Sequence, residues 1–195
     1  IDIENSVFIN NGAMGNYNYS SGGQPTVGGA ISLDHQWYNN GSYKVGKAII
    51  KNATFHGNYI KTLSSSDPGP MVGAAIAYGL WNSADAKTYI FNTIITGSRT
   101  LVVDDTTNYN SSSLSSSYKQ RLIVGEIYDY NDLVIDYSNV QAPAIPSGWG
   151  DNVYNVPPAY NDTSKNDFSL SSKSPLIGAG LASWDDEGGA DEGLA

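Results

Sequence analysis

Apolar and polar positions in this chain recur as two alternating phrases. The first is Val27-Gly28-Gly29-Ala30-Ile31-Ser32-Leu33. It returns as Val72-Gly73-Ala74-Ala75-Ile76-Ala77-Tyr78 and, in worn form, as Val124-Gly125-Glu126-Ile127-Tyr128. The second reads Ile3-Glu4-Asn5-Ser6-Val7-Phe8-Ile9-Asn10-Asn11, then Ile50-Lys51-Asn52-Ala53-Thr54-Phe55-His56-Gly57-Asn58. Shorter copies follow at Ile90-Phe91-Asn92-Thr93-Ile94-Ile95 and Ile135-Asp136-Tyr137-Ser138-Asn139-Val140. Two phrases taking turns along a chain form an internal repeat, and a repeat constrains architecture before any single residue does.

Within each copy the apolar residues fall at strand spacing, as with Ile1, Ile3, Val7 and Ile9. The second phrase predicts two short strands meeting at an asparagine bend, because a short amide tolerates positive φ and bonds nearby backbone. Phe8 and Phe55 lie 47 residues apart, and Val27 and Val72 lie 45 apart. About three strands per period, joined by loops of unequal length, predict an all-β right-handed single-stranded parallel β-helix, with successive strands ~4.8 Å apart. The expected inward columns are Ile3/Ile50/Ile90/Ile135, Phe8/Phe55/Ile95/Val140 and Ile31/Ile76/Ile127. Asn5, Asn52 and Asn92 are expected to form a ladder at the bend. A β-sandwich is the rival architecture, but it does not call for aligned asparagines. The repeat covers residues 1–140. From Gln141, Pro143, Pro146, Pro157 and Pro158 interrupt regular pairing. Residues 141–195 are therefore expected to be an irregular cap with an acidic tail. Residues 141–160 should drape over the end of the stack, and Phe168, Leu170, Leu176 and Ile177 should cover its last layer.

Composition narrows the function classes. Charged residues are 15% of the 195 and apolar residues 40%, so uncharged Ser, Asn, Gly and Tyr must cover the surface. Net charge −9 offers no basic face to displace counterions, which argues against nucleic-acid partners. The absence of cysteine removes disulfide and thiolate chemistry. No apolar run reaches the ~18 residues of a membrane span, so no membrane insertion is expected. The chain starts within a repeat and without Met. It therefore reads as a piece of a longer precursor with further β-helix turns upstream.

The pairing of Gly-Gly-Ala-Ile at 28–31 with Phe-x-x-Asn at Phe8–Asn11 and Phe55–Asn58 resembles the repeats of chlamydial polymorphic outer membrane proteins, which are adhesin passengers. Ala74 departs from the motif in the second copy and Glu126 in the third. The segment Asn166-Asp167-Phe168-Ser169-Leu170, followed by Lys173-Ser174-Pro175-Leu176-Ile177-Gly178-Ala179-Gly180, is similar to the closing segment of secreted bacterial β-helix proteins. Type IX secretion cargo of Bacteroidetes is among these. The resemblance implies export, an extracellular or outer cell-surface location, a capped C-terminal end, and contact with secretion or anchoring machinery.

Candidate chemistry is sparse. Trp37, Tyr38, Tyr78 and Trp81, with Asp34 and His35 nearby, could stack on sugar faces and bond hydroxyls; the alternative is that the rings simply cover the wall. Asp104 and Asp105 are weak Ca²⁺ candidates in a serine-rich stretch expected to be a long excursion. No other cofactor is implied. A glycosidase needs two carboxylates on one surface. The rows Asp34/Gly79/Asp129 and Asp2/Ile49/Tyr89 supply no adjacent pair, and no convincing catalytic cluster emerges. The expected role is structural or adhesive, a rigid body presenting loops to a glycan or another cell-surface component. A polysaccharide-active lyase or hydrolase is the alternative. A subunit associating end to end in an extracellular filament is a third reading.

Overall fold

The computed structural model describes residues 1–15, 26–27, 29–33, 37–39, 42–44, 47–62, 71–72, 75–78, 87–102, 133–141, 150 and 152–181. The first repeat contains β1 (Asp2–Glu4), β2 (Val7–Ile9), β3 (Gly12–Gly15), β4 (Thr26–Val27) and β5 (Ile31–Leu33), then a hairpin of β6 (Trp37–Asn39) and β7 (Ser42–Lys44). The second contains β8 (Lys47–Lys51), β9 (Thr54–His56), β10 (Tyr59–Thr62), β11 (Met71–Val72) and β12 (Ile76–Tyr78). The third contains β13 (Lys87–Phe91), β14 (Ile94–Thr96) and β15 (Arg99–Val102), and the fourth β16 (Leu133–Asp136) and β17 (Ser138–Val140). Then come β18 (Val153–Tyr154), β19 (Tyr160–Asp162), a 3-10 turn at Thr163–Lys165 and β20 (Asp167–Leu170).

The protein is all-β, and its larger sheets are parallel. Each is assembled from equivalent strands of successive repeats, in the orders β1-β8-β13-β16, β2-β9-β14-β17-β18 and β3-β10-β15. β4 pairs with β11 and β5 with β12, also in parallel. Among the described residues only the hairpins β6-β7 and β19-β20 are antiparallel.

Register follows the repeat. Ile3, Ile50, Ile90 and Ile135 are successive partners. So are Phe8, Phe55, Ile95 and Val140, while Ile31 faces Ile76. Ile127 lies outside the described residues. These columns line a core in which Ile50, Phe55, Ile76, Ile90, Ile95, Ile135 and Val140 are fully buried, with Ala48, Ala53 and Ala75 among them. The rings of Phe8 and Phe55 stack at 4.7 Å, inclined by only 6°. A one-residue slip would turn every one of these side chains outward.

Two kinds of bend let the strands change direction. At the first, Asn5, Asn52 and Asn92 hold φ of 50°, 53° and 48°. The Asn92 amide donates to Asn52 Oδ1 at 3.2 Å. In the fourth repeat this place belongs to Tyr137, at φ 48°, with its N–H donating to Asp136 Oδ1 (2.9 Å). A hydroxyl one residue later supports three of the four bends: Ser6, Thr93 and Ser138 each donate to the carbonyl two residues back at 2.8 Å. The second bend passes through Asn10, Gly57 and Gly97, all at positive φ. Beside it lies the more deeply buried polar rung. Asn58, wholly buried, accepts from the N–H and side-chain amide of Asn11 and donates to the Phe8 carbonyl, at 3.0–3.1 Å.

Gly150 and β18 continue the stacking. Gly150 N–H donates to the Ile135 carbonyl, and β18 pairs with β17. Among the described residues after β18, Phe168 and Tyr160 do not meet the fourth repeat but the second and third. This segment crosses the outer face of the β2-β9-β14-β17-β18 sheet, so that Phe168 meets His56 of β9. Leu176 and Leu181 are buried in this docking, whereas Ile177 stays exposed. Leu181 closes a two-bond ring with Asn92: its N–H donates to Oδ1 (2.7 Å), and Nδ2 donates to its carbonyl (2.8 Å).

Asn58→Ala removes three hydrogen bonds from a buried rung and should cost about 3 kcal/mol in chemical denaturation, at about 1 kcal/mol per bond. Gly57→Ala places a Cβ 2.5 Å from Asn10 Oδ1 at φ +66°, whereas Gly178→Ala, at φ +75°, meets open space. Left-handed strain costs about 1–2 kcal/mol at both sites, so the loss at Gly57 should clearly exceed that at Gly178. Equal losses would mean that the Asn10 contact does not constrain the bend.

Candidate functional site

The sheet that carries Phe55, Ile95 and Val140 inward carries His56, Thr96 and Gln141 outward, since side chains alternate along a strand. Thr96 and His56 are partners across β14 and β9. His56 Nδ1 and Thr96 Oγ1 are 3.0 Å apart, and Thr96 Oγ1 lies 3.2 Å from the Tyr160 hydroxyl. The three groups form a chain from the wall to the crossing segment. Gln141 accepts the Gly97 N–H through Oε1 at 2.8 Å, which fixes its carboxamide beside them.

The crossing segment is itself firmly tied. The Val156 N–H donates to Asn139 Oδ1 (2.9 Å), the Ser171 N–H donates to the Ala159 carbonyl (2.9 Å), and the buried Ser174 hydroxyl donates to the Pro158 carbonyl. Ala159 takes φ 51° to turn the chain into β19. Tyr160, Phe168 and His56 then pack as an aromatic triangle: Tyr160 meets Phe168 edge-on at 5.2 Å and His56 edge-on at 5.7 Å, and His56 lies 4.9 Å from Phe168.

Between wall and crossing segment lies a cleft of about 320 Å³, lined by His56, Thr96, Gly97 and Gln141 on one side and Asn155, Val156, Pro157, Pro158 and Tyr160 on the other. Among the described residues its lining carries no carboxylate, ammonium or guanidinium. Burial holds the Tyr160 hydroxyl above its usual value near 10, and the Thr96 contact pulls it partway back. On the exposed hairpin, the Ser164 hydroxyl and then Lys165 hold Asp162 below the ordinary carboxylate value. The Ser169 hydroxyl and N–H do the same for Asp167.

Of the residues singled out by sequence, Trp37 and Tyr38 lie on β6, in register with Lys44 and Tyr43 of β7. Tyr78 ends β12, opposite Leu33. Asp34, His35, Trp81, Asp104 and Asp105 lie outside the described residues, as does the carboxylate row Asp34/Gly79/Asp129. Asp2 is in register with Ile49, and Ile49 with Tyr89, so that row pairs no carboxylates. No group of three His, Asp or Glu side chains gathers to hold a metal among the described residues, and none of the helices there is long and apolar enough to cross a membrane. The cleft was not evident in the sequence. Its signal was present only as outward positions of the second phrase, His56 and Thr96, and a proline pair at Pro157 and Pro158.

No protein-family model, curated protein or solved structure matches the chain.

Because Tyr160 releases its proton later in the folded protein than in the unfolded chain, its contribution is intact below about pH 10 and drains away as pH rises past that value. Melting temperature should therefore fall above pH 10, and Tyr160→Phe should make that fall shallower. An identical alkaline slope in the variant would show that the hydroxyl is not coupled to docking of the crossing segment.

Proposed function

We propose that the chain is a section of a right-handed parallel β-helix working at the cell surface or outside the cell as a rigid scaffold that presents loops to glycans or other surface components. The observation that carries this reading is constant register despite variable spacing. Partners in adjacent layers lie 47, 40 and 45 residues apart, yet the same columns align. Unequal stretches between aligned strands can vary in length and chemistry without disturbing the core, which suits display. Right-handed winding is the hand almost always taken by parallel strand–crossover–strand connections. The uncharged polar composition and lack of cysteine suit an exported repeat protein. Contact with secretion or anchoring machinery belongs to the same proposal; end-to-end association in a filament is a separate reading. The hairpin β6-β7 carries Trp37 and Tyr38, and with Tyr78, Trp81, Asp34 and His35 it is the proposed glycan-contact surface.

Glycan-array binding with the purified chain tests this reading. Binding to at least one glycan class is expected. The paired variant Trp37→Ala/Tyr38→Ala should weaken it about tenfold or more with little change in melting temperature, in line with the loss of stacked aromatic contacts. Release of new reducing ends or unsaturated sugars from polysaccharide would overturn the scaffold reading in favour of an enzyme.

A further inference from the structure

The cleft beside Tyr160 has two unlike walls. The sheet side presents the imidazole of His56, the Thr96 hydroxyl and the carboxamide of Gln141. The facing side presents Val156, Pro157 and Pro158, together with Asn155 and Tyr160. Each wall is held by independent bonds. Gln141 is anchored through its oxygen to Gly97, and the opposite wall through Val156 to Asn139 and through Pro158 to Ser174. Both walls are therefore set before any ligand arrives, so binding need not order them.

We propose that this slot binds one neutral pyranose unit of a glycan, inserted edge-on. A pyranose has a face of C–H groups and a rim of hydroxyls. Its C–H face matches Val156, Pro157 and Pro158; its rim hydroxyls are met by the Gln141 amide N–H groups, the Gln141 oxygen being held by Gly97, and by the Asn155 carboxamide. The volume of about 320 Å³ is at the small end of ligand pockets, enough for one or two rings and too small for a buried chain. The described lining offers no ammonium or guanidinium, so a uronic acid, sulfated sugar or phosphate would bury its anion without a strong ion-pair partner, which the site penalises. A proline-rich peptide could use the apolar wall but would leave the polar wall unmatched.

This inference rests on the glycan-contact reading but uses a surface separate from the β6-β7 hairpin, so the two can fail separately. The test is ¹H–¹⁵N NMR titration of the full chain with glucose, galactose, mannose and N-acetylglucosamine, each against glucuronate and a proline-rich peptide. At least one neutral sugar should shift the amides of Gly97, Gln141 and Asn155. Gln141→Ala and Asn155→Ala, both at exposed positions, should each raise its Kd about tenfold in a chain whose amide spectrum stays dispersed; Gln141→Ala, which also leaves the Gly97 N–H without its acceptor, should lower melting temperature modestly. The conservative Asn155→Gln should recover part of the affinity. The proposal is overturned if no neutral sugar moves those amides, if the alanine variants bind as well as the parent, or if glucuronate or the peptide binds more tightly. Array binding abolished by Trp37→Ala/Tyr38→Ala, with a silent slot, would sink the slot alone. A sugar-responsive slot in a chain with no hairpin-dependent array signal would sink the hairpin's role alone.

Discussion

Parallel pairing between strands some 40 to 47 residues apart is the constraint on which the other features depend. Closing such long stretches is costly in entropy, but the cost grows only logarithmically with length. Going from 40 to 47 residues changes it by about 0.1 kcal/mol. A bend residue forced into the wrong conformation costs about 1–2 kcal/mol. The chain behaves accordingly. Its spacing varies from one repeat to the next, while positive φ recurs at Asn5, Asn52, Asn92 and Tyr137 and again at Asn10, Gly57 and Gly97. Bend geometry is held and spacer length is not, as the two magnitudes require.

The apolar columns and the polar rungs do different work. Phe55, Ile95 and Val140 drive burial but would tolerate exchange among shapes of similar volume. Asn58 is less replaceable, because it sits at zero exposure and answers two donors on Asn11 and an acceptor on Phe8. A buried rung that is fully bonded fixes which layer pairs with which; a half-bonded one would favour slippage. The hydroxyls of Ser6, Thr93 and Ser138 act alike at the other bend, each closing on a carbonyl two residues back.

The columns were legible in the sequence because inward positions must be apolar in every layer, so the signal is repeated and adds up. Ile3/Ile50/Ile90/Ile135 could be aligned by eye. The bend asparagines were legible for the same reason, up to Tyr137, where local bonding to Asp136 substitutes for a permissive side chain. Docking of the C-terminal segment on the outer face was not legible. His56 and Thr96 point away from the core, where no rule demands repetition, and their partners Tyr160 and Phe168 each occur once. The expected cover over the last layer also followed a sound intuition, that an open edge must be closed. The sequence cannot show that Phe168 prefers an imidazole on the flank, or that Ile177 stays in solvent.

Because the described strands of each repeat pair only with those of the repeats directly before and after it, the unit that can be gained or lost without misalignment is a whole period from one Asn bend to the next. Unequal recombination between the gene segments encoding Ile50–Asn58 and Ile90–Ser98 would delete such a unit and leave Ile3 facing Ile90 in an unbroken column. A family built this way would diverge by copy number as readily as by point substitution. Relatives of quite different lengths would then share the same cross-section.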